Sequence, residues 1–150
     1  MKKYILSIAI GCMVLLTASC NIEFSNNGDL DGLWQLAAVD TLATDGHTDL
    51  RESNVGWAFQ GQLLELKRAN TWYICKFTHA DGMLTLGTLH FVERNLEDPE
   101  IKDDSEAEYN LEALRPYGVN ALGETFKVVT LTSSTMVLKS AILRLHFRKY

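Results

Sequence analysis

Four histidines, at positions 47, 79, 90 and 146, are the side chains best suited to metal binding or proton transfer near neutral pH. No two stand close enough in sequence to offer a ligand pair from one helix or hairpin, so their spacing specifies no metal. Asp98, Glu100, Asp103 and Asp104 supply the oxygens that a hard cation takes, but the run lacks the glycine and the ligand spacing of a calcium loop. It reads as a solvated acidic loop. Ser, His and Asp all occur, yet no Gly-x-Ser-x-Gly turn holds a serine nucleophile and no cysteine–histidine arrangement appears. Carboxylates on such a loop would be held too loosely for paired acid–base work. The expectation is no enzyme, no metal and no cofactor.

The cysteines carry more information. Met1 to Lys3 is basic, Ile5 to Leu16 is apolar, and the small residues Thr17-Ala18-Ser19 precede Cys20. This is the layout of a secretory signal. Its twelve apolar residues rise roughly 18 Å as a helix, too little for a hydrocarbon core of about 30 Å. Leu16-Thr17-Ala18-Ser19-Cys20 resembles a bacterial lipobox, which implies cleavage before Cys20 and lipidation of its thiol. Several acyl chains on one residue would anchor a domain to a membrane stably. Cys12 leaves with the signal, so Cys75 stands alone, without a disulfide partner. It shares a strand face with Tyr73 and Phe77 and reads as a buried small hydrophobe.

Residues 1–19 are thus read as signal peptide, 20–30 as a polar tether and 31–150 as one domain. Loss of Lys2 and Lys3 takes the net charge from -5 to -7. That balance argues against nucleic acid as a partner, and against electrostatic docking on anionic lipid.

The domain must be built from strands. Leu143, Leu145 and Phe147 alternate with Arg144, His146 and Arg148, the period-two pattern of a half-buried strand. Similar runs start at Gly32, Val55, Leu63, Thr71, Met83, Glu124 and Thr135, giving eight strands. Asp81-Gly82 marks a hairpin, and residues 44–54 read as a loop. The phase slips at Gly87, where Leu84 and Leu86 give way to Leu89 and Phe91, a signature of a bulge or bend. Glu93 to Gly123 breaks the rhythm with eight acids against one lysine between Glu97 and Glu112. Ser105 and Glu108 fit a capping box, and Ala107, Leu111 and Leu114 share a helical face, so a short helix is expected over 106–115. Tight turns make sequential antiparallel neighbours, and eight such strands lose their edges by closing into a barrel, the alternative being a two-sheet sandwich.

Gly32-Leu33-Trp34 on the first strand resembles the Gly-x-Trp signature of the lipocalins. The plan from about residue 30 to 150 is similar to the lipocalin-like (calycin) domain of small lipoproteins from Bacteroidetes-type bacteria, most clearly from Val128 to Tyr150. The resemblance implies an all-β, eight-stranded antiparallel meander barrel with one short helix in a long acidic loop. It implies that an arginine of the last strand, Arg148 or else Arg144, packs across Trp34, which plugs the closed end. It also implies a small apolar ligand in a cup. The alternation names Leu64, Leu66, Tyr73, Phe77, Leu89, Phe91, Phe126 and Val128 as its lining, although the same residues would equally fill a packed core. In that second reading the barrel works by its outside, on a protein partner that meets Trp57, Trp72 and the acidic loop. After Cys20, Asn21-Ile22-Glu23-Phe24 lacks the lysine-plus-acid run that resembles a surface-export tag. The expected location is the cell envelope, on the periplasmic side of the outer membrane.

Overall fold

The computed structural model describes residues 25–93 and 97–150; Cys20, the signal segment and the start of the tether lie outside them. Among the described residues ten strands occur: β1 (Gly32–Thr41), β2 (Gly46–Asp49), β3 (Gly56–Gln60), β4 (Leu63–Arg68), β5 (Thr71–Ala80), β6 (Met83–Leu86), β7 (His90–Phe91), β8 (Thr125–Leu131), β9 (Thr135–Lys139) and β10 (Leu143–Lys149). Eight of them form a closed antiparallel barrel in the order β1-β3-β4-β5-β6-β8-β9-β10, with β10 pairing back onto β1. The two short strands are additions to it. β2 pairs with the far half of β1, and β7 pairs with the start of β5.

Alternation sets the faces. On β4, Leu64 and Leu66 are fully buried, while Glu65 and Lys67 point out and pair at 2.9 Å. On β5, Tyr73, Cys75 and Phe77 turn inward and Trp72 and Ile74 lie half-buried on the other face. The β5–β6 turn has both Asp81 (φ 52°) and Gly82 (φ 71°) in the left-handed region, the hairpin geometry that Asp-Gly favours. At Gly87 the strand breaks as the phase slip foretells. A Cβ there would lie 2.8 Å from the Lys76 carbonyl oxygen, so only glycine lets the chain pass that close to β5.

Two elements depart from expectation. Residues 46–49 are a strand rather than turn material. β1 is ten residues long, and β3 covers only its first four, so its far half would otherwise be an edge. With Asp45 at φ 51°, the chain folds back and fills that edge. Asp40 then binds strands on both sides of it. Its carboxylate oxygens meet His47 Nδ1 of β2 and His146 Nε2 of β10, each at 2.7 Å.

The helix is displaced. No helix spans 106–115; a 3-10 helix spans Leu111–Tyr117. Its cap is Asn110, whose side chain accepts from the Glu112 N–H, and not Ser105. Lys102 and Asn110 form a bridge, with Lys102 N–H donating to Tyr109 and Leu111 N–H donating to Lys102. Tyr109 is drawn onto Phe91, with stacked rings 5.1 Å apart, and its hydroxyl donates to Glu93. Those ties hold residues 103–109 as an excursion of turns and delay the helix until Asn110.

The 3-10 helix lies across the end of the barrel where β4 finishes and β5 begins. Leu114, Tyr117 and Val119 are buried there. Trp57 Nε1 donates to the Tyr117 carbonyl at 3.1 Å, and the Tyr117 ring meets Tyr73 edge-on. Gly118 (φ 85°) ends the helix in the left-handed region, tight against the Leu145 side chain, where a Cβ would sit 2.7 Å from a methyl carbon. The Gly118→Ala variant is therefore expected to lose about 1–3 kcal/mol of stability, read as a lower midpoint in denaturant. Hydrogen bonds from His47 and His146 hold the Asp40 carboxyl below the usual aspartate range. A depressed carboxyl stabilises the fold above its unfolded pKa and loses that effect as pH falls through the folded value. Thermal melts should show Asp40→Asn less stable than the parent at pH 6, with the gap closing below about pH 3.8, the ordinary aspartate value.

Candidate ligand site at the mouth of the barrel

The barrel interior is filled by its own side chains. Of the eight expected lining residues, Leu64, Leu66, Tyr73, Phe77, Leu89 and Phe126 are buried, and Phe91 and Val128 are half-buried; all eight pack in one cluster. Trp57 stands at its centre, fully buried, with its ring against Phe59, Phe126 and Phe147 at centroid distances of 5.2–6.2 Å. An outward Trp57 is thereby excluded. It shares a face with Phe59 and lies in register with Trp34 and Leu66, and all three are core residues. Burial raises the Cys75 thiol to about 12, so it is not a reactive nucleophile at neutral pH.

One end is shut by the chain's own start. Trp34 is fully buried and its indole N–H donates to the Leu30 carbonyl at 2.8 Å, with Leu30 itself buried beneath. The cation over the Trp34 ring is Lys149, with Nζ 4.9 Å from the centroid, and not Arg148 or Arg144. The register explains the correction. Trp34 pairs with Lys149, so both leave the same face, whereas Arg148 pairs with the buried Gln35 on the opposite face and its Nε donates to the Gln35 amide oxygen. Gly32 (φ 111°) makes room: a Cβ there would stand 3.0 Å from Lys149 Cε. Lys149 Nζ also donates to the Asp29 carbonyl, which ties the tether side to the last strand.

The other end keeps an opening. Beside the 3-10 helix a cleft of about 250 Å³ is lined by Val39, Leu50, Val55, Pro116 and Leu143, with Arg68 and Arg115 at the rim. Arg115 pairs with Glu112 at 2.7 Å, while the Arg68 guanidinium adds no ion pair among the described residues. A wider depression of about 660 Å³ on the outer wall is lined by Asp49, Arg51, Glu52, Ser53 and Arg148, with no apolar side chain among them. The mouth cleft combines an apolar floor with lid residues, Pro116 and Gly118, that flank the buried Tyr117; a second cleft of about 430 Å³ also reaches core side chains, Phe77 and Leu86. Sequence spacing could not find it, since its walls come from β1, the 50–55 loop, the 3-10 helix and β10.

The remaining polar candidates have local roles. Asp98 accepts from the Glu93 N–H and Asp104 from the Glu106 N–H, so both carboxylates hold turns of their own segment. Among the described residues no three His, Cys, Asp or Glu side chains converge to hold a metal ion. His47 and His146, 99 positions apart, do converge, but on Asp40.

Comparison with known proteins agrees with this architecture. A lipocalin-like protein from Bacteroides uniformis superimposes with a TM-score of 0.58 at 22% identity, over 82% of this chain and 100% of that one. A protein from Bacteroides eggerthii does so with 0.59 at 19%, over 81% and 99%, and a protein from Burkholderia xenovorans with 0.53 at 16%, over 89% and 93%. A search of curated proteins gives no match. The family model of the lipocalin-like domain matches residues 14–150, and the chain belongs to that family.

Proposed function

We propose that this chain is a lipid-anchored protein of the bacterial cell envelope that binds or carries a small apolar ligand, without catalysing a reaction on it. The mouth cleft carries the reading: an apolar floor of Val39, Leu50, Val55 and Leu143 that opens beside a short lid. At about 250 Å³ it falls below the roughly 300–1,000 Å³ of ordinary ligand pockets. A larger ligand enters the cup only as the 3-10 helix lifts and withdraws Leu114 and Tyr117. The Bacteroides and Burkholderia origins of the similar structures accord with a bacterial source. The basic start, the apolar run and Leu16-Thr17-Ala18-Ser19-Cys20 support the anchor and an outer-membrane position facing the periplasm.

A second reading rests on the filled interior. If the lid never lifts, the barrel acts by its outside on a protein partner, with Trp72 and the acidic segment as the contact surface.

Native mass spectrometry of protein purified from its host separates the two. A reproducible bound mass of lipid size is expected; a clean ligand-free mass, together with no binding of a fluorescent apolar probe, leaves the second reading. Leu114→Ala should lose about 2–5 kcal/mol of stability yet take up the probe more tightly, because it empties the lid's contribution to the core. For the anchor, the expected outcome is that Cys20→Ser moves the protein from the membrane to the soluble fraction of its host. An unchanged membrane fraction counts against lipidation.

A further inference from the structure

Three cations stand side by side on the outer wall. Lys127 of β8 lies opposite Lys139 of β9, and Lys139 lies opposite Arg144 of β10. Opposed residues on adjacent antiparallel strands leave the same face about 5 Å apart, so the three make a row about 10 Å long. The face is the outer one: Phe126, Leu138 and Leu145, their chain neighbours, are fully buried, while both lysines are exposed and Arg144 is half-buried.

Two features of this row are unfavourable as it stands. Like charges directly opposed across strands repel, and among the described residues none of the three takes part in an ion pair. The next residue in register is a carboxylate, Asp40, but its two oxygens are already engaged by His47 and His146. Arg144 Nε is also buried without a hydrogen-bond partner, and a buried donor left unpaired is destabilising. Turning the guanidinium toward the row breaks no hydrogen bond from Nε. A single kind of ligand relieves both features: an oxyanion with several acceptor oxygens.

The geometry points to a binding row for phosphate groups, filled by a ligand that carries two of them within about 10 Å and spans Lys127 to Arg144. Phosphate presents several acceptors at once, suits guanidinium and ammonium donors, and is longer-reaching than a carboxylate. The row is too long for one phosphate, which is why it takes two. A free diphosphate and the neighbouring headgroups of an anionic bilayer share this chemistry. The site lies apart from the mouth cleft and does not depend on what binds there. It also shows why net charge misleads: a chain that is acidic overall keeps an unneutralised cationic strip on β8–β10.

The test follows the Arg144 Nε–H resonance of the full chain by NMR during titration with inorganic pyrophosphate and, separately, orthophosphate. Sedimentation with phosphatidylglycerol vesicles and with neutral phosphatidylcholine vesicles completes it. Pyrophosphate should shift the resonance and bind about tenfold more tightly than orthophosphate, and Lys139→Gln should weaken it about tenfold with the melting temperature held. Salt-sensitive sedimentation with the anionic vesicles alone, without saturable pyrophosphate binding, assigns the row to lipid headgroups. No response to either pyrophosphate or anionic vesicles overturns the proposal. So does undiminished binding in the Lys127→Gln, Lys139→Gln double variant.

Discussion

The pairing of the first barrel strand with the last is the constraint on which the other features depend. It runs from Trp34 opposite Lys149 to Thr41 opposite Leu143, with one irregularity between Leu36 and Ala38. Without it the sheet has two long free edges; with it, among the described residues, only the short added strands β2 and β7 keep an unpaired side. Closure with eight strands also fixes the bore, which is just wide enough for side chains. Once the bore is set, the inward positions can hold only apolar groups that interlock, and Trp57, Phe59, Phe126 and Phe147 do so ring to ring. Polar chemistry is thereby confined to the two ends and the outer wall.

The ends are shut by unlike means. At one, a rigid indole is held by a buried hydrogen bond to Leu30 and roofed by Lys149, and the Gly32 backbone leaves space for that roof. The parts come from both termini of the domain, so opening this end would unpick the β1–β10 seam. At the other end the seal is one 3-10 helix from a long connection. Hydrogen-bond geometry in such a helix is poor, and short ones hold no position by themselves. Its place is set by what it touches: Trp57, which donates to its last carbonyl, and Tyr73, which packs on its tyrosine. On the proposed reading, this asymmetry puts the opening at the lid end.

The eight barrel strands were legible because apolar and polar residues alternate along most of them, and the kink at Gly87 was legible as a phase slip. The Asp81-Gly82 turn and the burial of Trp34 could also be read. What failed had no periodic signal. Gly46–Asp49 carries no apolar pattern; it is a strand because the edge of β1 needed a partner. Ala107, Leu111 and Leu114 gave a helical period from three residues only, and the Lys102–Asn110 bridge together with the Phe91–Tyr109 stack overrode it. Placing Arg148, or else Arg144, above Trp34 missed Lys149; against Arg148 the error is one residue of register, which moves a side chain to the opposite face. The Asp40–His47–His146 contact and the mouth cleft join segments far apart in the chain, and no single sequence window contains either.

Whether a sealed barrel can serve as a carrier depends on the energetics of exchange at the lid. Leu114, Tyr117 and Val119 are nearly free of solvent contact, and burying a large apolar side chain contributes about 1.5–3 kcal/mol. Withdrawing the three together therefore costs on the order of 5–9 kcal/mol. An alkyl chain contributes about 0.8 kcal/mol for each methylene it buries, so eight or so methylenes recover roughly 6 kcal/mol. The two quantities nearly cancel. A flexible apolar chain can therefore replace the lid's side chains at little net change, while a short or polar molecule leaves the lid shut. On the proposed reading, selectivity by chain length then follows from the core's own packing, with no polar recognition inside the bore.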